Sequence, residues 1–140
     1  MKVVRGKTAA LFSAATQVGG QVAGASEEDC NALYEYGDAL GIAFQIIDDL
    51  LDVEGNLQIS GKNVGDDFRV RKLTMPFIKA IQNSSKSELE FWRRTIEKGN
   101  QNDKDWDTAL ALMNKYQAIT KTRQEAEMWV EQAQRALSKL

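Results

Sequence analysis

Three aspartates stand close together in the most hydrophobic segment of the chain. Asp48, Asp49 and Asp52 alternate with isoleucine and leucine residues within residues 44–52. Burying a carboxylate is costly unless a cation or a set of hydrogen-bond donors accompanies it. On a helix, Asp48 and Asp52 would lie one turn apart on the same face, with Cβ atoms about 5–6 Å from each other. Gln45, three residues before Asp48, would line the same groove.

A cation for these carboxylates must come from outside their own helix, because no lysine or arginine stands three or four residues away from them. Mg²⁺ is suited to such oxygen ligands, since it typically takes one or two carboxylates, several waters and phosphate oxygens. The segment that follows, residues 61–72, adds glycines and basic side chains, and a lysine there could act as a mobile point charge for phosphate. Two interpretations stay open on the residues alone: a Mg²⁺–diphosphate site, or a solvated acidic helix face.

The spacing of apolar residues predicts an all-α chain. Apolar side chains recur every three or four positions from about Glu27 to Glu54, and Ser26 precedes this segment as a suitable N-cap. Gly37 and Gly41 fall inside the predicted helix, where we expect a neighbouring helix to approach their backbone closely. A polar loop is predicted for residues 55–72. Shorter helices are predicted from near Pro76 to Gln82, over Ser87–Lys98 with a stop at Gly99, and near Lys104–Tyr116 and Thr120–Ser138.

The first 26 residues imitate a secretory signal peptide but fit a helix of the folded protein better. A few basic residues precede the apolar residues 9–15, yet this stretch is short and is followed by glutamines and glycines. No run of the sequence approaches the roughly 18 apolar residues that a membrane span needs. We therefore expect a helix of the mature fold here, and no membrane span.

Composition excludes several classes of chemistry. The 140 residues include 18 basic and 20 acidic side chains, a net charge of −2, without the basic excess expected of a nucleic-acid binder. The absence of histidine excludes Ser-His-Asp triads and histidine-ligated zinc. The single cysteine cannot form an internal disulfide. We expect one cytoplasmic domain that binds no nucleic acid, with Trp92, Trp106 and Trp129 serving as core residues and not as ligand contacts.

Taken together, the motifs resemble those of the trans-isoprenyl diphosphate synthases, or polyprenyl synthetases. The similarity covers residues 1–81 and is specific only as a combination, since each motif alone is weak. Within the family the chain most resembles bacterial long-chain enzymes of the octaprenyl or decaprenyl type. The matching motifs are Gly6-Lys7-Thr8-Ala9-x-Leu11-Phe12, Phe44-Gln45-x-x-Asp48-Asp49-x-x-Asp52, Gly61-Lys62-Asn63-Val64-Gly65-Asp66-Asp67 and Lys72-Leu73-Thr74-Met75-Pro76.

This resemblance implies an all-α isoprenoid synthase fold and a Mg²⁺-dependent condensation of an allylic diphosphate with isopentenyl diphosphate. It implies that Asp48, Asp49 and Asp52 bind Mg²⁺ on the allylic diphosphate, and that Asp67 supports the metal shell. Full-length relatives also imply a homo-oligomer. The implied catalytic residues are Lys7, Thr8 and Gln45, of which Thr8 and Gln45 face the developing carbocation, and the implied diphosphate contacts are Lys7, Lys62 and Lys72.

The chain departs from the family pattern in two respects. Val70 and Arg71 stand where the family commonly has an acidic residue and a glycine before the lysine. The sequence also contains no first aspartate-rich motif and no arginine-rich site for isopentenyl diphosphate. We therefore expect residues 1–140 to be the C-terminal portion of a polyprenyl synthetase domain, inactive in chain elongation by itself. The alternatives are a non-catalytic helical module that binds a diphosphate or a partner subunit, and a purely structural helical domain.

Overall fold

The computed structural model describes residues 8–54 and 64–140, and within these ranges it contains helices and turns but no strand. The predicted all-α class is therefore confirmed. A π-helical turn, Arg93–Glu97, directly continues the α-helix Lys86–Trp92. The α-helices are α1 (Ala10–Val22), α2 (Glu27–Glu54), α3 (Asp66–Arg69), α4 (Met75–Gln82), α5 (Lys86–Trp92), α6 (Asp105–Lys115) and α7 (Ala118–Leu137).

Most of the predicted helix boundaries agree with the structure. Helix α2 spans Glu27–Glu54 as predicted, and the Ser26 hydroxyl accepts a hydrogen bond of 3.1 Å from the amide of Asp29, as an N-cap residue does. The predicted polar loop over residues 55–72 is partly wrong, because its described part contains α3. A four-residue helix is too short to show an apolar period, so the sequence pattern could not reveal it.

The described residues divide into two compact units, one from residues 8–47 and 124–140 and the other from residues 48–54 and 64–123. Helix α2 contributes to both units. None of the helices in the described ranges is long and apolar enough to cross a membrane.

In the first unit, α1 lies against α2 at two glycines. A Cβ atom on Gly37 would collide with the carbonyl oxygen of Phe12, and one on Gly41 would lie 2.6 Å from the Cα atom of Ala9. Both positions therefore need a residue without a side chain, although glycine weakens a helix interior. The predicted close approach of a neighbouring helix is confirmed, and it fixes the segment around Ala9 against α2.

The second unit has an aromatic core. The rings of Phe68 and Phe77 are almost fully buried, and Trp92 meets Phe77 edge-on with ring centroids 6.1 Å apart. The core assignment of Trp92 is thus confirmed, and Trp106 packs against Phe68 with its ring centroid at 5.9 Å. Trp129, in the first unit, is only partly buried. The other buried residues of this core are Leu50, Val53, Ala80, Ala109, Leu112, Met113 and Ala118.

Glu88 joins α5 to the end of α6. Its carboxylate accepts hydrogen bonds from the Ser85 amide at 2.7 Å and the Lys115 ammonium at 2.8 Å, and a third from the Tyr116 hydroxyl. The Ser85 hydroxyl in turn accepts from the Glu88 amide, which completes a capping box. These contacts, with that of Lys115 the largest, lower the pKa of Glu88 to about 2 from its usual 4.5.

We expect Gly37→Ala to lower the free energy of unfolding by about 1–3 kcal/mol, because the added methyl group overpacks the contact between α1 and α2. The matched control is Gly19→Ala on α1, where an added Cβ would meet nothing within 4 Å. This control should gain about 0.5–1 kcal/mol from better helix propensity. Urea unfolding measures both changes, and equal effects at the two sites would contradict the close helix approach.

The stability that Glu88 contributes should depend on pH. Since its folded pKa lies below the unfolded value, this contribution is complete above about pH 4.5 and disappears as the pH falls towards 2. The stability difference between the unmodified chain and Glu88→Gln should therefore shrink over this interval. Urea unfolding at a series of pH values checks it, with Glu90→Gln, an exposed change on the same helix, as the control. A difference that stays constant down to pH 2 would contradict the assignment.

Candidate functional site

The three aspartates of α2 differ in their access to solvent. Asp52 is completely buried and Asp49 is 7 % exposed, whereas Asp48 is only half-buried. Val53, which follows Asp52, packs in the core of the second unit, so this end of α2 is buried. Of the three carboxylates, that of Asp48 is therefore the most open to a ligand from solution.

The buried carboxylate of Asp52 is the acceptor at which α3 begins. The amide of Asp67 lies 3.2 Å from both carboxylate oxygens, and the amide of Gly65 donates to the Asp52 carbonyl at 2.8 Å. Gly65 is the N-cap residue of α3 and has no side chain to accept a hydrogen bond. Asp52 thus supplies, from another helix, the acceptor that a serine or aspartate normally provides. Its negative charge also suits the positive end of the helix dipole.

At its other end, α3 terminates in a Schellman motif whose last residue is Lys72. The amide of Arg71 donates to the carbonyl of Phe68 at 3.0 Å, and the amide of Lys72 donates to the carbonyl of Asp67 at 2.8 Å. These two hydrogen bonds are the pair that defines the motif. Helix α3 is therefore fixed at both ends, and it sets the backbone of Lys72 at a defined separation from Asp52.

Gly65 is required at the start of α3 for two independent reasons. Its φ angle is +89°, and a Cβ atom there would lie 2.8 Å from the indole ring of Trp106. Trp106 therefore supports the turn that presents Asp67 to Asp52. The contacts of Trp106 with Gly65 and of Arg71 with Ile96 could not be predicted from the sequence, because these partners are distant along the chain.

Thr8 and Gln45, which belong to the first unit, form a direct contact. The Thr8 hydroxyl donates to the side-chain oxygen of Gln45 at 3.0 Å. Gly41, one turn before Gln45, allows the backbone of Ala9 to approach, so the next residue back, Thr8, reaches Gln45. The structure thus brings together the two residues for which the resemblance implies a shared role. Two further predicted site residues, Lys7 and Lys62, lie outside the described ranges.

The carboxylates of the second unit fit a magnesium ion that arrives with its phosphate. Within residues 8–54 and 64–140, no three Asp, Glu or Cys side chains are grouped closely enough to hold a metal by themselves. Mg²⁺ does not require such a cage, because waters and phosphate oxygens complete its shell around one or two carboxylates. Asp48 and Asp67 are both half-buried, so each keeps the exposure that a direct ligand needs.

Comparison with known proteins identifies the family. Residues 1–113 match the family model for polyprenyl synthetase. The chain belongs to the polyprenyl synthetase family. It is 40% identical over 140 residues to the octaprenyl diphosphate synthase of Escherichia coli, covering 100% of this chain and 42% of that protein. It is 38% identical over 137 residues to the octaprenyl diphosphate synthase of Haemophilus influenzae, covering 98% of this chain and 40% of that protein.

Solved structures of polyprenyl synthetases share the fold. A decaprenyl diphosphate synthase from Rhodobacter capsulatus superposes with a TM-score of 0.91 at 58% identity, covering 99% of this chain and 42% of that one. A polyprenyl synthase from Caulobacter crescentus, solved in complex with calcium and isoprenyl diphosphate, gives 0.92 at 39% identity, with 98% and 42% coverage. The chain thus spans about two fifths of the length of these relatives and matches their C-terminal part. The family predicted from the motifs is confirmed, as is the similarity to octaprenyl and decaprenyl synthases.

Two substitutions on α2 should affect stability differently. Asp52→Ala removes the acceptor for the Asp67 amide and should lower the free energy of unfolding by about 1.5–3 kcal/mol, as expected for a hydrogen bond to a charged group. Asp48→Asn, at a half-buried position of the same helix face, should change it by no more than about 0.5 kcal/mol. Urea unfolding of both variants without added metal provides the comparison. A clear loss of stability in Asp48→Asn would indicate a structural role for Asp48 in place of a ligand-binding one.

Proposed function

We propose that this polyprenyl synthetase chain binds Mg²⁺ and the diphosphate group of an allylic substrate, as one part of a site that condenses this substrate with isopentenyl diphosphate. The observation that carries the proposal is the continuous link from the α2 aspartates through the Asp52–Asp67 contact to Lys72. Asp67, whose carboxylate suits a metal, and Lys72, whose ammonium suits phosphate, are thereby held by one doubly capped helix.

Burial supports a division of roles among the acidic residues predicted to bind the metal. Asp48 and Asp67 have the exposure of direct ligands. Asp52 has no solvent exposure, and its carboxylate already accepts a hydrogen bond from the Asp67 amide. In this proposal Asp48 and Asp67 contact the metal, while Asp52 holds α3 in place from beneath the surface and the buried Asp49 is not a direct ligand.

The chemistry required is the departure of diphosphate, which needs its negative charge to be neutralised. When bound, Mg²⁺ supplies most of that positive charge as a Lewis acid. Lys72 adds a further positive charge for the phosphate oxygens. Thr8 uses its hydroxyl proton in the hydrogen bond to Gln45, so the lone pairs of its oxygen are available to a developing allylic cation.

We do not propose that this chain extends a prenyl chain by itself. The sequence contains no first aspartate-rich motif and no arginine-rich isopentenyl diphosphate site, and the chain spans 42% of the Escherichia coli relative. We therefore expect it to bind a diphosphate without extending a prenyl chain. The homo-oligomer and the cytoplasmic location stay predictions from the sequence.

Calorimetry with inorganic diphosphate tests the proposed site. Binding should occur with Mg²⁺ and be absent with EDTA, because the carboxylates need the metal to bridge them to phosphate. Asp48→Ala should weaken this binding about tenfold or more, equivalent to at least about 1.4 kcal/mol. Asp107→Ala, an exposed change of the same charge on α6, should leave the affinity unchanged.

Four results would contradict these expectations. Diphosphate binding that persists in EDTA, or that survives Asp48→Ala, would remove the metal role and favour a helical module that binds without metal. Absence of any binding would favour a purely structural domain. Labelled isopentenyl diphosphate and an allylic diphosphate should give no extractable product, and product above the buffer control would overturn the expected inactivity.

A further inference from the structure

Arg71 occupies a backbone position that normally requires glycine. Its φ angle is +64°, one of two positive values among the non-glycine residues that the structure describes. A residue with a Cβ atom is sterically disfavoured in this left-handed region. In a Schellman motif the residue at this place is usually glycine for the same reason. Some other contact must therefore stabilise Arg71 in this conformation.

The guanidinium group of Arg71 provides that contact. Its Nε donates to the carbonyl of Ile96 at 2.7 Å, and its Nη2 donates to the carbonyl of Glu97 at 2.5 Å. Both carbonyls lie at the end of the π-helical turn, where helices leave acceptors without partners within the helix. Gly99 allows this approach, since a Cβ atom there would lie 2.9 Å from the guanidinium. Arg71 thus clamps the end of α3 onto the π-helical turn.

The π-helical turn is itself firmly held. Arg94 within it makes two hydrogen bonds of 2.9 Å to the carboxylate of Asp105, and this contact lowers the pKa of Asp105. The side-chain amide of Gln101 donates to the carbonyls of both Phe68 and Thr95 at 2.9 Å, and so bridges α3 to the turn. The clamp therefore attaches α3 to a braced part of the second unit.

We propose that Arg71 is a positioning residue that holds the backbone of Lys72 in place for the diphosphate. This inference rests on the proposed function of Lys72. The lysine side chain is long and exposed, and a backbone that is already ordered reduces the conformational entropy lost when it binds a ligand. An arginine suits the clamp because its planar fork donates two hydrogen bonds at once.

The variant that tests the clamp is Arg71→Gly. Glycine adopts the left-handed conformation without strain, so the fold is retained while the two guanidinium contacts are lost. Binding of inorganic diphosphate with Mg²⁺ should weaken by about five- to thirtyfold, the cost of ordering the backbone of one residue on binding. The control is Arg93→Ala, which removes the same charge from an exposed position of the π-helical turn and should leave the affinity unchanged.

A double-substitution cycle separates positioning of Lys72 from a general structural effect. In a Lys72→Met background, Arg71→Gly should cause no further loss of affinity, because the side chain that Arg71 positions is no longer charged. An equal loss in both backgrounds would overturn the positioning role and leave Arg71 with a structural one.

Amide hydrogen exchange tests the clamp without any ligand. Exchange of the Lys72 amide, which donates to Asp67, should be faster in Arg71→Gly and unchanged in Arg93→Ala. If the unmodified chain binds no diphosphate but Lys72 exchange accelerates, the proposed function fails and the clamp stands. If Lys72 exchange and diphosphate affinity are both unchanged in Arg71→Gly, the clamp itself is overturned.

Discussion

The buried carboxylate of Asp52 is the constraint around which the candidate site is arranged. A charge with no solvent exposure is destabilising unless hydrogen bonds satisfy it, and the Asp67 amide lies within reach of both oxygens. The same contact provides α3 with the acceptor that its N-cap glycine cannot supply. A four-residue helix has little stability of its own, because helix nucleation is unfavourable. The hydrogen bond between the Asp67 amide and the Asp52 carboxylate therefore compensates both for the burial of the carboxylate and for the low stability of the short helix.

Helix α3 separates the carboxylate of Asp52 from Lys72 by a fixed stretch of backbone. Gly65 and Trp106 shape its beginning, and the Schellman motif that contains Arg71 shapes its end. A site that neutralises a leaving diphosphate benefits from charges that are already in place, since little reorganisation is then needed during the reaction. Under the proposed function, the fixed backbone of Lys72 would meet this requirement in the second unit.

In the first unit, two glycines position a polar contact between side chains. Gly37 and Gly41 let α1 approach α2 until backbone meets backbone, and the same approach brings Thr8 to Gln45. The loss of helix propensity at the two glycines is thus tied to a polar contact that the family resemblance connects with catalysis.

Features that depend on neighbours along the chain could be predicted from the sequence. The bounds of α2, the Ser26 cap and the close approach at Gly37 and Gly41 follow from periodicity, capping preference and the rarity of glycine inside helices. The motifs also sufficed to identify the family. Only the tertiary structure decided that Asp52 is buried while Asp48 is not, that α3 exists, and that Arg71 clamps it. These features depend on partners that are distant in sequence, 15 residues away for Asp52 and Asp67 and 25 for Arg71 and Ile96. No local pattern encodes such contacts, because they form only when the packed helices bring the partners together.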